Sequence, residues 1–278
     1  MGDGNVVPMT TVGFIGTGNM ASAIVKGIVA DGIVAAADVL LVDRSRDKAV
    51  ALAESVGGAQ VLDSAAEIAQ RADLTVIAVK PNVVASVLPE LGTIVAERGS
   101  AIVSIAAGLT LARLTELAGA DAAIVRVMPN VNATVGASMS ALTGNEFVTE
   151  AQRSAALDVF GAVGRVIELD EKQFSAFTAI AGSSPAFTFV YIDALARAAV
   201  AAGMPKAVAT EAAAQAVLGS AKLLLESGTH PWELADIVSS PGGTTVAGLL
   251  KLEDEGFFAA VVAGVKATID RDQELGKA

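Results

Sequence analysis

The chain contains no cysteine. Disulfides, thiolate metal centres and cysteine nucleophiles are therefore excluded, and the composition suits a reducing compartment, with the cytoplasm as the expected location. Histidine occurs once, at His230. A multi-histidine metal site and a second imidazole acid–base group are thus impossible, and no metal is expected. His230 precedes Pro231 at the start of a helical run and reads as a turn residue between helices. Aromatic residues make up only 4% of the chain, with one tryptophan and one tyrosine. Alanine is abundant instead, which favours close helix–helix and helix–sheet packing over aromatic stacking. Basic residues are few: 19 Lys and Arg stand against 30 Asp and Glu, for a net charge of −11. There is no basic cluster and no basic stripe interleaved with aromatics, so nucleic acid is not an expected partner. An acidic protein that binds an anionic nucleotide must concentrate positive potential locally, at backbone N–H groups and a few Lys or Arg.

What remains is apolar. Of 278 residues, 53% are hydrophobic, enough for one large domain or two modest ones. Over the first 170 residues short apolar runs alternate with helical runs. Strands are expected at Thr11–Ile15, Val39–Val42, Leu74–Val79, Ala101–Ile105 and Ile124–Val127, with shorter ones near 137–142 and 165–169. Helices are expected at 19–31, 45–56, 64–71, 83–97 and 110–118. This alternation implies an α/β domain: a doubly wound, mainly parallel sheet with helices on both faces. After Asp170 the strand pattern stops. Helical runs follow at 171–181, 185–202, 205–227, 231–238, 244–255 and 256–275, punctuated by glycine and started by proline. The expected organisation is a dinucleotide-binding domain over 1–170, with a frayed tail at Met1 to Met9, and an all-α domain over 171–278.

Residues 173–192 carry no formal charge over a span long enough to cross a bilayer. Gly182, Ser183, Ser184 and Pro185 interrupt it and no basic flank orients it, so it reads as a helix buried in protein rather than a membrane span. Ala194–Ala202 has only Arg197 as a charge. A helix apolar most of the way round needs cover on several sides, and the helical domain is therefore expected to be shared in a dimer.

Two motifs carry chemistry. The first is Gly16-Thr17-Gly18-Asn19-Met20-Ala21, which follows an apolar strand and opens a helix. Gly16 turns the chain sharply, Gly18 allows a pyrophosphate to approach the backbone, and Ala21 replaces the third glycine of a dinucleotide fingerprint. Asp43 ends the second strand at the spacing expected of a ribose-binding carboxylate. It favours NAD, whereas Arg44, Ser45 and Arg46 just after it offer a place for a 2′-phosphate; the reading leans to NADPH over NADH. Ala78-Val79-Lys80-Pro81 and Ser104-Ile105-Ala106-Ala107-Gly108 end two further strands, where ligands bind in such sheets. Met128-Pro129-Asn130 ends the next. The second motif is Ser239-Ser240-Pro241-Gly242-Gly243-Thr244-Thr245, just before a helix. Its outward N–H groups suit a small carboxylate, and its threonines add hydroxyls.

The ordered set GFIGTGNMA (13–21), AVKP (78–81), SIAAG (104–108), RVMPN (126–130), AGSSPAF (181–187), AAQAVLGSAKLL (213–224) and SSPGGTT (239–245) resembles the pyrroline-5-carboxylate reductase family over residues 11–275. The resemblance implies reduction of 1-pyrroline-5-carboxylate to L-proline with hydride from NAD(P)H, the last step of proline biosynthesis. It also implies a Rossmann-type domain followed by a helical dimerisation domain. By position, the cofactor would contact 16–21, Asp43–Arg44, 78–81 and 104–106. The substrate carboxylate would meet Ser240 and the backbone of Gly242, Gly243 and Thr244, and Thr245 would bond the ring nitrogen as the catalytic hydroxyl. Glu171 also falls on a substrate-contact position. Four positions depart from the family pattern: Val131-Asn132 replace Thr-Pro, the 182–185 stretch is altered to Gly-Ser-Ser-Pro, Ala65 replaces a ribose-contacting asparagine, and Gly228 replaces a substrate-facing glutamate.

A cyclic iminium is already electrophilic, so the protein need only hold its carbon against a nicotinamide and exclude water. The scarcity of titratable groups in the motifs fits that chemistry. A hydroxyacid dehydrogenase of similar plan would need a base, commonly a lysine on the helix from Pro185 to Ala202, where the charges are Asp193 and Arg197 only. A dinucleotide-binding regulatory protein without turnover would have no need of the Gly-Gly-Thr-Thr turn.

Overall fold

The structure, a computed structural model, describes residues 11–119 and 121–276; the expected tail at Met1 to Met9 lies outside them. Two compact units emerge. One runs to Gly182 and takes up the chain again from Ile269; the other is Ser183–Thr268.

The first unit is built as β1 (Val12–Ile15), α1 (Asn19–Ala30), β2 (Val39–Val42), α2 (Arg46–Ser55), β3 (Gln60–Val61), α3 (Ala65–Arg71), β4 (Leu74–Ile77), α4 (Pro81–Arg98), β5 (Ala101–Ser104), α5 (Leu111–Ala118), β6 (Ala123–Met128), β7 (Ser138–Gly144), α6 (Glu150–Gly161), β8 (Gly164–Glu168) and α7 (Phe174–Phe177). The eight strands form one sheet in the order β3-β2-β1-β4-β5-β6-β7-β8. All neighbours are parallel except β6 and β7. The order reverses between β1 and β4, and ligands bind doubly wound sheets in the crevice beyond the strand ends at such a reversal.

The continuous apolar runs are explained by burial on both faces. In β1, Val12 and Phe14 face one core with Ile24, Val25 and Ile28 of α1. Ile15 faces the other, with Ile68, Val84 and Leu88. Gly13 shares that second face because a Cβ there would lie 2.2 Å from Ile68 Cγ2. The helices α1, α2 and α6 thus cover one side of the sheet and α3, α4 and α5 the other.

Two elements of this unit were not expected. The strand β3 has only two residues and no apolar run to betray it. The helix α6 is amphipathic and carries a full capping box: Thr149 accepts from the Gln152 N–H and Gln152 reaches back to the Thr149 N–H. The expected single helix over 171–181 is instead a 3-10 turn at Glu171–Gln173, α7, and a π-helical turn at Thr178–Ser183. Pro185 is the cause. It has no N–H to donate to the Ala181 carbonyl one turn back, and its ring crowds that carbonyl. The Asn130 side chain donates to Ala181 O instead, at 2.9 Å.

The second unit holds α8 (Ser184–Ala201), α9 (Lys206–Ser227), α10 (Pro231–Ile237), α11 (Thr244–Asp254) and most of α12 (Phe257–Leu275). Two of its helices, α8 and α9, pack on each other. Glycines in left-handed conformation close α9 at Gly228 (φ 63°) and open the turn before α11 at Gly242 (φ 69°). His230 is the N-cap of α10; its Nδ1 accepts from the Trp232 N–H at 3.3 Å. Trp232, the only indole, is 63% exposed. The stretches Glu171–Ala201 and Lys206–Ser227 are long and apolar enough to cross a bilayer by length and composition. The sequence reading placed 173–192 inside protein, and this holds for its first half, where Phe174, Phe177, Ala179 and Ala181 are buried. Its second half is bare in the single chain: Phe189 and Val190 are 62% and 72% exposed.

Candidate active site

In the first unit a cleft of 650 Å³ lies at the strand-order reversal. It gathers Gly16, Gly18, Asp43, Arg44, Ala78, Val79 and Lys80 among the expected cofactor residues. Gly16 has φ 98°, and a Cβ on it would lie 2.7 Å from the Ala78 carbonyl oxygen, so only glycine fits this turn. Gly18, the N-cap of α1, is the opposite case: nothing lies within 4 Å of where its Cβ would be. The space a side chain would fill is open at the first turn of α1, beside the N–H groups of Asn19, Met20 and Ala21, as a pyrophosphate cradle requires. Ala21 itself is buried and packs α1 against the sheet. Lys80 is the N-cap of α4 and Pro81 its first residue.

Asp43 ties the loops after β1 and β2 together. Its Oδ2 accepts from the Thr17 N–H at 2.7 Å and the Thr17 hydroxyl at 3.0 Å, and its Oδ1 from the Ser45 N–H at 2.9 Å. Burial pushes its carboxyl toward a higher pKa, but the bonds from Ser45 and Thr17 and the charge of Lys48 outweigh that and hold it below the ordinary value. A carboxylate has about four acceptor sites, and three are filled. Arg46 is tied to Asp63 in an ion pair. Arg44 lines the cleft and makes no ion pair or hydrogen bond among the described residues. Ala65, the position lacking the expected asparagine, borders the same cleft.

Ser104 ends β5 and is buried. The Ile105 N–H donates to Ile77 O at 3.2 Å and the Ala106 N–H to the Ser104 hydroxyl at 3.4 Å. Asn130 is engaged within the fold: its backbone N–H donates to the Ser138 hydroxyl, its side-chain Oδ1 accepts from the Asn132 N–H, and its side-chain Nδ2 donates to Ala181 O. The sequence reading passed over Arg126. It lies in the middle of buried β6, 7% exposed, and its Nη1 meets Glu171 Oε1 at 2.7 Å. An arginine inside an apolar strand was itself the signal, since a buried charge requires a partner.

In the second unit the turn at 239–245 has the expected construction. The Gly243 N–H donates to Ser240 O at 2.9 Å, and Ser239 Oγ donates to Ala235 O at 2.7 Å. A Cβ on Gly243 would lie 2.5 Å from Ser240 Oγ, so glycine leaves room for that hydroxyl. Gly243 caps α11 with no side chain of its own, which leaves the N–H groups of Thr244 and Thr245 directed outward at the helix start. The Thr245 hydroxyl is exposed and has no partner among the described residues. On α8, Asp193 is engaged by both Arg197 and Lys206 and offers no base to a hydroxyl substrate. No group of three or more His, Asp or Glu suited to a metal occurs among the described residues.

Residues 171–275 match the family model for pyrroline-5-carboxylate reductase dimerisation, and residues 11–108 match that for coenzyme F420-dependent NADP oxidoreductase. The pyrroline-5-carboxylate reductase of Escherichia coli is 42% identical over 96% of this chain and 98% of its own. The solved pyrroline-5-carboxylate reductase of Coxiella burnetii superposes with a TM-score of 0.92 at 34% identity, covering 97% of this chain and all of the other. That of Plasmodium falciparum, solved with NADP bound, gives 0.85 at 29% identity over 96% and 98% of the two chains. At this identity over nearly the whole of both chains, the chain belongs to the pyrroline-5-carboxylate reductase family.

Proposed function

We infer that this chain reduces 1-pyrroline-5-carboxylate to L-proline with a reduced nicotinamide cofactor, and the reading is carried by near-full-length identity to reductases of that name. The cofactor supplies one hydride to the iminium carbon, and the electron pair of the C=N bond passes to nitrogen to give the ring amine. The chain's own part is binding and orientation. The backbone at Gly242–Thr244, with the outward N–H of Thr244, and the Ser240 hydroxyl receive the substrate carboxylate. Thr245 places its hydroxyl on the ring nitrogen and fixes which ring carbon faces the nicotinamide. Glu171 is the remaining residue proposed for the substrate by resemblance.

Gly16–Ala21, 78–81 and 104–106 would hold the cofactor. NADPH is the preferred form in this reading. Asp43 has three of its acceptor sites filled by Thr17 and Ser45, which leaves it poorly placed to take two ribose hydroxyls. Arg44, at the cleft and without a partner, suits a 2′-phosphate. Self-association through the helical unit agrees with its bare apolar faces and with the match to a dimerisation model. A cytoplasmic location agrees with the cysteine-free composition.

The test is loss of reduced-nicotinamide absorbance with purified protein, 1-pyrroline-5-carboxylate and either NADPH or NADH. Imine-dependent oxidation with proline formed is the expected result, faster with NADPH at low cofactor. A preference for NADH would overturn the reading of Arg44. No oxidation with either would overturn the reaction itself.

A further inference from the structure

The loop at 105–110 is small and apolar at its centre, Ala106-Ala107-Gly108, and is fixed at both ends. At β5 it is held by the bonds from Ile105 and Ala106 already described. At its other end Thr110 caps α5, accepting from the Arg113 N–H at 3.2 Å. The next N–H, that of Leu111, donates to Glu171 Oε1 across a separation of 60 residues. The same oxygen takes Arg126 Nη1 at 2.7 Å. Arg126 is the register partner of Ser104 on the adjacent strand, and its guanidinium carbon sits 4.6 Å from the centre of the buried Phe174 ring. A single carboxylate oxygen therefore joins the first turn of α5 to the strand beside β5. A carboxylate at a helix N-terminus is electrostatically favourable, charge-assisted bonds are strong, and the ring face steadies the cation. A cleft of 440 Å³ opens beside the pair, bordered by Gly108, Thr110, Arg126 and Glu171. Ala106 and Leu109 of the loop pack on the adjoining core, and the charged pair adds a polar anchor at the loop's far end.

We propose that Glu171 is a positioning residue for the cofactor: held by Arg126, it fixes loop 105–110, and it acts on the reaction through that loop rather than by touching the imine. This rests on the reading that Ser104–Ala106 contact the cofactor, and it replaces the substrate role that resemblance gives Glu171. Two variants test it. Glu171→Gln keeps the shape and an acceptor oxygen but removes the charge, and Arg126→Lys keeps the charge but loses the planar fork. The readouts are the Kd for NADPH, the KM for 1-pyrroline-5-carboxylate, kcat, the thermal midpoint, and amide hydrogen exchange at 105–111.

Glu171→Gln is expected to weaken NADPH binding by about tenfold, a loss of about 1.4 kcal/mol, to leave the imine KM within about twofold, and to speed exchange at 105–111. Arg126→Lys is expected to give the same pattern. A raised imine KM with unchanged NADPH affinity would overturn the proposal and return Glu171 to the substrate. A lowered thermal midpoint with both affinities unchanged would overturn it in favour of a purely structural pair. If neither variant folds, the wild-type protein decides: a Leu111 amide that exchanges as fast as an open loop is incompatible with the clamp, and a slow one supports it. The underlying reading has its own signature of failure. NADPH that protects 16–21 but not 104–106 in the wild-type protein would remove the loop from the cofactor site, and the proposal with it.

Discussion

Two glycines two positions apart in one loop answer to different constraints, and the difference is measurable. Gly16 is required by the protein, since its φ is 98° and a Cβ would meet the Ala78 carbonyl. Gly18 is surrounded by open space and is required only if something else occupies that space. Gly16→Ala should therefore destabilise the fold, by about 1–3 kcal/mol, as read from urea unfolding. Gly18→Ala should leave unfolding unchanged and weaken NADPH binding by about tenfold or more; equal affinity would mean that no phosphate approaches this backbone. Thr245 is the residue proposed to hold the ring nitrogen. Thr245→Ala is expected to lower turnover by about ten- to a hundredfold, the loss of about 1.4–2.7 kcal/mol from the transition state, and unchanged steady-state kinetics would remove it from the mechanism. These residues were legible in the sequence because each lies in a short local motif. Arg126 and Glu171 were not joined there. Their partnership is made by tertiary pairing 45 residues apart, and neither neighbourhood names the other.

At the scale of elements, legibility followed burial. The strands β1, β2, β4, β5 and β6 are covered on both faces, so each is predominantly apolar, with Thr75 in β4, Ser104 at the end of β5 and Arg126 in β6 as buried polar exceptions. The two-residue β3 lies at the sheet edge and leaves no such trace. The helix α6 went unassigned although Thr149 and Gln152 form a capping box, a signal visible without any structure. The π-helical turn at Thr178–Ser183 shows a different limit. Pro185 in the sequence says that a regular helix is interrupted, but not that Asn130, distant in the chain, repairs the interruption. That repair gives a prediction. Asn130→Ala leaves the Ala181 carbonyl, in a residue only 8% exposed, without its donor. The expected cost is about 1–3 kcal/mol in urea unfolding. An unchanged midpoint would show that the carbonyl finds another donor and that Asn130 is dispensable to the turn.

Over the whole molecule the two units are covered unequally. The sheet unit buries most of its large apolar side chains, with Phe14, Phe160, Leu88 and Leu91 at zero exposure and Val135 and Ile180 the most exposed exceptions. The helical unit leaves Val190, Leu225 and Phe258 at 72%, 66% and 71%, which in a lone chain would be an aggregation hazard. Self-association resolves the imbalance. Placing charges on α8, with Phe189→Asp and Val190→Asp together, should shift the sedimenting species to lower mass while cofactor binding to the sheet unit persists. An unchanged mass would move the interface off this face. The same unit carries Trp232, exposed in the isolated chain at the start of α10. A protein with one indole emits from one address. Its fluorescence maximum, followed down a dilution series, records the wetting of that single ring without dye, tag or label, and the cysteine-free background leaves the chain open to a second, chosen chromophore at any introduced thiol.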